Sequence, residues 1–198
     1  MTVSAIDQGP TRPTSESPSL GNRQAVRQLA ARFAQEPELV LACLEGISND
    51  DRGEAKVILE AARVAAAANP DYADLIYAVG RAAVVAGEYE TAAIALDHAI
   101  TINPTYKDAL ILDARVALRR GQPALAAVRL NAALAEGADY PDVHMLLGDV
   151  WTKQGDLPRA RAAYERALEL NAKLTPARTA LAALEPINGS RRCHELPA

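Results

Sequence analysis

Gly53, Gly87, Gly121 and Gly155 recur at an interval of 34 residues. Two more columns keep that interval: the small residues Gly46, Gly80, Ala114 and Gly148, and the alanines Ala65, Ala99, Ala133 and Ala167. A fixed period of roughly 20 to 50 residues marks an array in which one supersecondary unit stacks on the next, and it outranks any reading made segment by segment. The register divides the chain into repeats 39–72, 73–106, 107–140 and 141–174. Within 73–106, Ile76, Val79, Ala83 and Val84 follow helical spacing, and Gly87 supplies a left-handed C-terminal turn. A second helix is predicted from Tyr89 to Ile102, with Ala92, Ala95, Leu96 and Ala99 on one face, and Pro104 stops it because the residue before proline leaves the α region. Each repeat therefore reads as a helical hairpin, with Gly80 and Ala92 lacking bulk where two helix backbones approach.

Composition agrees with an all-α chain. Aromatic residues make up only 4% while alanine is abundant, which suits closely packed helices better than a few large anchors. The N-terminal residues 1–18, MTVSAIDQGPTRPTSESP, contain no apolar stretch behind a basic start, so they read as disordered and not as a secretory signal. No run approaches the roughly 18 apolar residues of a membrane span, so a soluble, cytoplasmic protein without membrane insertion is expected. Cys43 and Cys193 form no C-x-x-C pair. A net charge of -4 and the absence of a basic cluster argue against nucleic acid as a partner.

The residues in these columns resemble the tetratricopeptide repeat, a 34-residue helix-turn-helix unit. The fullest copy is 141–174, with Leu147, Gly148, Trp151, Gly155, Leu157, Ala160, Tyr164, Ala167 and Leu170 in signature positions. The copy at 73–106 carries Val79, Gly80, Gly87, Tyr89, Ala92, Leu96, Ala99 and Pro104. The copy at 107–140 departs with Asp113 in an apolar position and Pro123 in an aromatic one, and 39–72 is degenerate, because SNDDRG shortens its first helix. The resemblance implies a right-handed superhelical solenoid of about four hairpins over 38–186. An N-terminal helix is expected within 19–37, where Val26, Leu29, Ala30 and Phe33 form a stripe that either caps the array or binds elsewhere. Residues 175–186 read as a C-terminal capping helix, and 187–198 as a flexible tail.

Catalytic chemistry needs a nucleophile, a base and a stabiliser, or a metal cluster, within mutual reach. His98, His144 and His194 fall in different parts of the array and belong to no H-E-x-x-H or C-x-x-C spacing, so no enzyme activity, cofactor or metal is expected. His144 reads as a satisfied structural histidine and His98 as a surface residue. Cys193 and His194 are too few to make a tetrahedral site, and NGS at 188–190 is a glycosylation pattern in form only.

In tetratricopeptide arrays the first helices line a concave groove. The resemblance implies that Asp74, Tyr77, Arg81, Val84 and Val85 face it from the second repeat, Asp108, Ile111, Arg115, Leu118 and Arg119 from the third, and Asp142, Met145, Asp149, Thr152 and Lys153 from the fourth. A protein or peptide client with apolar anchors and acidic groups suits this face, because Arg81 and Arg115 can fork onto carboxylates; alternatively both pair with acids beside them. A subfamily that grips chaperone C-termini uses cationic and amide residues where this chain has Tyr77, Arg81, Leu112, Asp142 and Leu146, so that mode is not expected. The implied function is a non-enzymatic adaptor, scaffold or chaperone. The alternative is a self-assembling structural protein, a homo-oligomer formed through the N-terminal helix or the array ends.

Two smaller expectations complete the reading. Asp113 needs a cation such as Arg129 if it faces the interior. Tyr72, Tyr106 and Tyr140, each two residues before Asp74, Asp108 and Asp142, read as punctuation at the hairpin junctions, with the aspartates favourably placed in first turns.

Overall fold

The computed structural model describes residues 20–45 and 52–184, and within these every regular element is a helix. They run α1 (Leu20–Gln35), α2 (Glu38–Glu45), α3 (Arg52–Ala68), α4 (Ala73–Ala86), α5 (Tyr89–Ile102), α6 (Lys107–Arg119), α7 (Pro123–Ala135), α8 (Pro141–Gln154), α9 (Leu157–Leu170) and α10 (Thr175–Leu184). The pairs α4/α5, α6/α7 and α8/α9 are antiparallel hairpins, each packed on the next, so the chain is an all-α solenoid. The expectations for residues 1–18, for SNDDRG up to Asp51, for the tail 187–198 and for the Cys193–His194 pair lie outside the described residues.

Three of the four periodic glycines do what the period requires. Gly87, Gly121 and Gly155 adopt φ of 79°, 72° and 78°, a left-handed conformation that a side chain would strain. At the first of them the Gly87 N–H donates to the Val84 carbonyl at 3.1 Å and the Glu88 N–H to that of Ala83 at 2.8 Å, satisfying carbonyls that α4 leaves open. Gly53 keeps the interval but not the role. Because α2 stops at Glu45 and α3 starts at Arg52, this glycine falls inside the first turn of α3, where no left-handed residue is needed.

The small-residue column also differs from its sequence reading. What fills the space over Gly80 is not the neighbouring backbone but the Leu96 side chain, whose branch carbon would lie 2.7 Å from a Cβ placed there. Over Gly148 the occupant is the Tyr164 ring, with three carbons between 2.3 and 2.6 Å of such a Cβ. The glycines are seats for the side chain that the second helix drops onto the first.

At the front, α1 lies along α3 and buries Val26, Ala30 and Phe33, while the short α2 sits mainly against α4. The apolar stripe of α1 is thus consumed within the chain, as a cap. At the back, α10 seats Ala177 against α9, with Leu174, Leu181 and Leu184 around it. One continuous apolar cluster runs from Val26 to Val150, and a second, small one gathers Ala160, Tyr164, Ala167 and Ala177, with Trp151 touching both.

Asp113 is 2% exposed, the one buried charged residue among those described. The expected partner reaches it: Arg129 Nε on α7 donates to Asp113 Oδ2 at 2.8 Å, and Arg129 Nη2 donates to Asp97 Oδ1 of the preceding hairpin at 2.5 Å. Burial pushes the Asp113 carboxyl above its usual range, and the guanidinium opposes that shift.

Candidate functional site

Asp74, Asp108 and Asp142 lie in the first turns of α4, α6 and α8, where the positive end of each helix favours a carboxylate. The residues two places earlier, Tyr72, Tyr106 and Tyr140, occupy the N-cap positions of the same helices without making a side-chain cap bond. Tyrosine is not a favoured residue there. Its use follows from where the rings go: they line the surface made by the first helices.

That surface holds three recesses in succession. The front one, about 250 Å³, is lined by Pro37, Glu38, Leu41, Tyr72, Asp74 and Tyr106. The middle one, about 270 Å³, is lined by Tyr77, Arg81, Asp108, Ile111, Leu112, Arg115, Tyr140 and Asp142. The rear one, about 630 Å³, is lined by Arg115, Leu118, Arg119, Met145, Leu146, Asp149, Thr152 and Lys153. Arg115 belongs to the last two and joins them. Of the groove positions implied by the repeat register, only Val84 and Val85 line none of the three; both are half-buried and pack against the core.

The local geometry explains how these side chains hold their places. The Tyr77 and Tyr106 rings meet at 5.0 Å between centroids, tilted by 44°, within the range where aromatic pairs attract. Burial raises the Tyr106 phenol, and its hydrogen bond to Asp74 raises it further, so this hydroxyl stays protonated and donates to the carboxylate. Tyr77 is raised by burial too, against the lowering influence of Arg81, which is hydrogen-bonded to its hydroxyl. In the rear recess the Tyr164 O–H donates to Asp149 Oδ1 at 2.7 Å; burial is the main reason that its phenol is pushed up to about 12. Neither Arg81 nor Arg115 forms an ion pair with a carboxylate among the described residues. Both guanidiniums therefore face the middle recess with charge to offer.

The register missed the tyrosine column as groove lining. Tyr72 and Tyr140 remain 43% and 44% exposed, while only Tyr106 packs its ring into the junction as punctuation would. Their signal was present in the three-fold recurrence of tyrosine at a position that helix capping does not favour. His144 does read as expected, with Nε2 2.5 Å from Asp139 Oδ1; that bond, and then Arg166 at the other oxygen, hold the Asp139 carboxyl below its usual range. His98 is exposed on α5, beside a separate recess of about 470 Å³ formed by Ile76, Val79, Ile94 and Ala95 with the end of α3. Among the described residues no group of three or more His, Cys, Asp or Glu is placed to hold a metal, and no helix is long and apolar enough to cross a membrane.

Residues 112–175 match the family model of the tetratricopeptide repeat, in the segment where α6 to α9 form their two hairpins. Over that segment the chain is similar to the tetratricopeptide repeat. Among solved structures, the helical array superposes on MamA 41-end from Desulfovibrio magneticus RS-1 with a TM-score of 0.65 at 19% identity, covering 82% of this chain and 83% of that one. TTC0263, a thermophilic tetratricopeptide protein of Thermus thermophilus, gives 0.60 at 23%, covering 82% and 90%. The first tetratricopeptide domain of Spaghetti (RPAP3), solved with the HSP90 peptide SRMEEVD bound, gives 0.55 at 22%, covering 57% and 89%. No curated protein sequence matches the chain. At these identities the likeness is one of fold.

Proposed function

We propose that the chain is a protein-interaction module that holds a peptide or helix of a client in the groove formed by α4, α6 and α8, and so works as an adaptor or scaffold. The observation that carries this reading is the middle recess, where Arg81 and Arg115 stand without a carboxylate partner beside Tyr77, Ile111 and the exposed Tyr140. With Asp108 and Asp142 in the same recess but in no ion pair with either arginine, the two guanidiniums beside Ile111 and Leu112 fit a side chain or chain end that brings a carboxylate and an apolar anchor together. A fold relative solved with an acidic peptide supports a peptide-sized occupant. Its manner of gripping is not carried over, because Tyr77, Arg81, Leu112 and Asp142 here line the recess with different chemistry.

The test is capture of client proteins from the native cell by the wild-type chain and by the double variant Arg81→Glu with Arg115→Glu. The expected result is loss of the specific partners, at least tenfold, with the melting curve unchanged, since neither arginine supports the fold through an ion pair. Equal capture by both proteins would remove the groove from the function.

A further inference from the structure

The three recesses differ in charge along the groove. The front one presents two carboxylates, Glu38 and Asp74, and no cation; the middle one balances Arg81 and Arg115 against Asp108 and Asp142; the rear one sets Arg115, Arg119 and Lys153 against Asp149 alone. Asp149 at the rear accepts from Tyr164 as Asp74 at the front accepts from Tyr106, so the two ends differ by their balance of charges and not by how their carboxylates are bonded. At the front the two carboxylates stand among the rings of Tyr72 and Tyr106, a combination that suits a cationic head group by charge and by the π faces together. The rear floor of Leu118, Met145 and Leu146 suits an apolar side chain next to an acidic one.

Resting on the reading of the groove as a peptide site, we propose that its occupant is a charge-segregated peptide segment of a partner protein, with a basic residue seated at the Glu38–Asp74 end and acidic residues at the Arg119–Lys153 end. Asp74 at the start of α4 and Arg119 at the end of α6 mark the two ends. Their offset within the repeat corresponds to about 16 Å along the helix axis, and with a lateral step of roughly 10 Å from α4 to α6 it puts the anchors roughly 20 Å apart, or about six residues of extended chain. This exceeds the Debye length of about 8 Å at physiological ionic strength, so each end reads its own charge nearly independently of the other. A peptide of the same composition with its charges mixed satisfies neither end.

The experiment selects displayed random peptides of about twelve residues, enough to span both anchors in extended form, on the full chain. Each enriched peptide is then measured against Arg81→Glu with Arg115→Glu, against Glu38→Lys, and against Arg119→Glu with Lys153→Glu. These are surface positions, and thermal melting monitors the fold. The inference expects peptides that depend on Arg81 and Arg115, carry basic and acidic residues at opposite ends about six residues apart, and weaken about tenfold on Glu38→Lys or on the rear reversal. Each loss should disappear when the matching end of the peptide is changed to alanine. Peptides that need Arg81 and Arg115 but show no charge order, or that ignore Glu38→Lys and the rear reversal, overturn the charge-segregated occupant and leave the groove standing. Enriched peptides indifferent to Arg81 and Arg115 overturn the groove as well.

Discussion

Gly148→Ala should destabilise the array by about 3 kcal/mol, at the upper end of the cost of forcing a methyl group into a packed interior. For a chain of this size that is a fall of about 6–12 °C in thermal midpoint, read by circular dichroism. The reason is that the added methyl meets the Tyr164 ring at 2.3 Å, and the ring cannot retreat: it is 2% exposed and its hydroxyl is tied to Asp149. Gly80→Ala should cost less, about 1–2 kcal/mol, because the group it meets is the smaller Leu96 side chain at 2.7 Å, which can adjust by rotating. The neighbouring hairpin already contains the solution. There Ala114 stands where Gly148 stands and Leu130 where Tyr164 stands, both fully buried. Gly148→Ala combined with Tyr164→Leu should therefore be more stable than the sum of the two single losses implies. Strict additivity would mean that the glycine is not there to seat the ring.

Arg129→Met should cost about 3–5 kcal/mol, the penalty for stranding a buried charge. Asp113 is 2% exposed and loses the cation bonded to it, whereas Asp97, with its side chain 67% exposed, is returned to water at little cost. The pH dependence identifies the culprit. Since burial already raises the Asp113 carboxyl in the folded chain above 3.8, the native state holds its proton more tightly than the unfolded state. Stability from this group is then lost as pH rises through the folded value and regained as pH falls toward the unfolded one. Removing Arg129 takes away the group that lowers it, so the deficit of the variant in urea unfolding should shrink on going from neutral toward about pH 4. A deficit independent of pH would clear Asp113. Asp113→Leu together with Arg129→Met should recover wild-type stability or exceed it, as replaced buried pairs often do.

The parts of the fold legible in the sequence were those where one residue decides a backbone conformation. Gly87 and Gly155 mark turns because few other residues tolerate a left-handed φ, and the helix from Tyr89 to Ile102 begins and ends where its flanking residues require. Asp113 and Arg129 were legible as a pair because a buried charge without a partner is too costly to persist. Legibility failed where the answer depends on which surfaces meet. That Gly148 receives a ring and Gly80 a leucine follows from the residue across the hairpin, not from the small residue itself. Similarly, Gly53 kept its interval while the helices around it shifted, because a period constrains spacing and not conformation. The place of Arg81 and Arg115 on the first helices, beside the middle recess, follows from their register. That of the tyrosines does not, since a residue at a helix start points its side chain according to the junction, which only the stacked array defines.

The apolar interior is divided late in the chain, with α9 and α10 gathered around their own small cluster, which Met145 and Trp151 of α8 and Ala163 of α9 connect to the rest. In a stacked array, where each unit is held only by its neighbours, such a seam sets where opening starts. Amide hydrogen exchange should therefore run faster in α9 and α10 than in α4 to α7; uniform protection would deny the seam. The Tyr164 hydroxyl that quiets Asp149 sits on the outer side of that boundary. Each excursion of the last two helices thus frees the Asp149 carboxylate from Tyr164 among the cations of the rear recess, so the charge that this recess presents rises and falls with the fraying of the array.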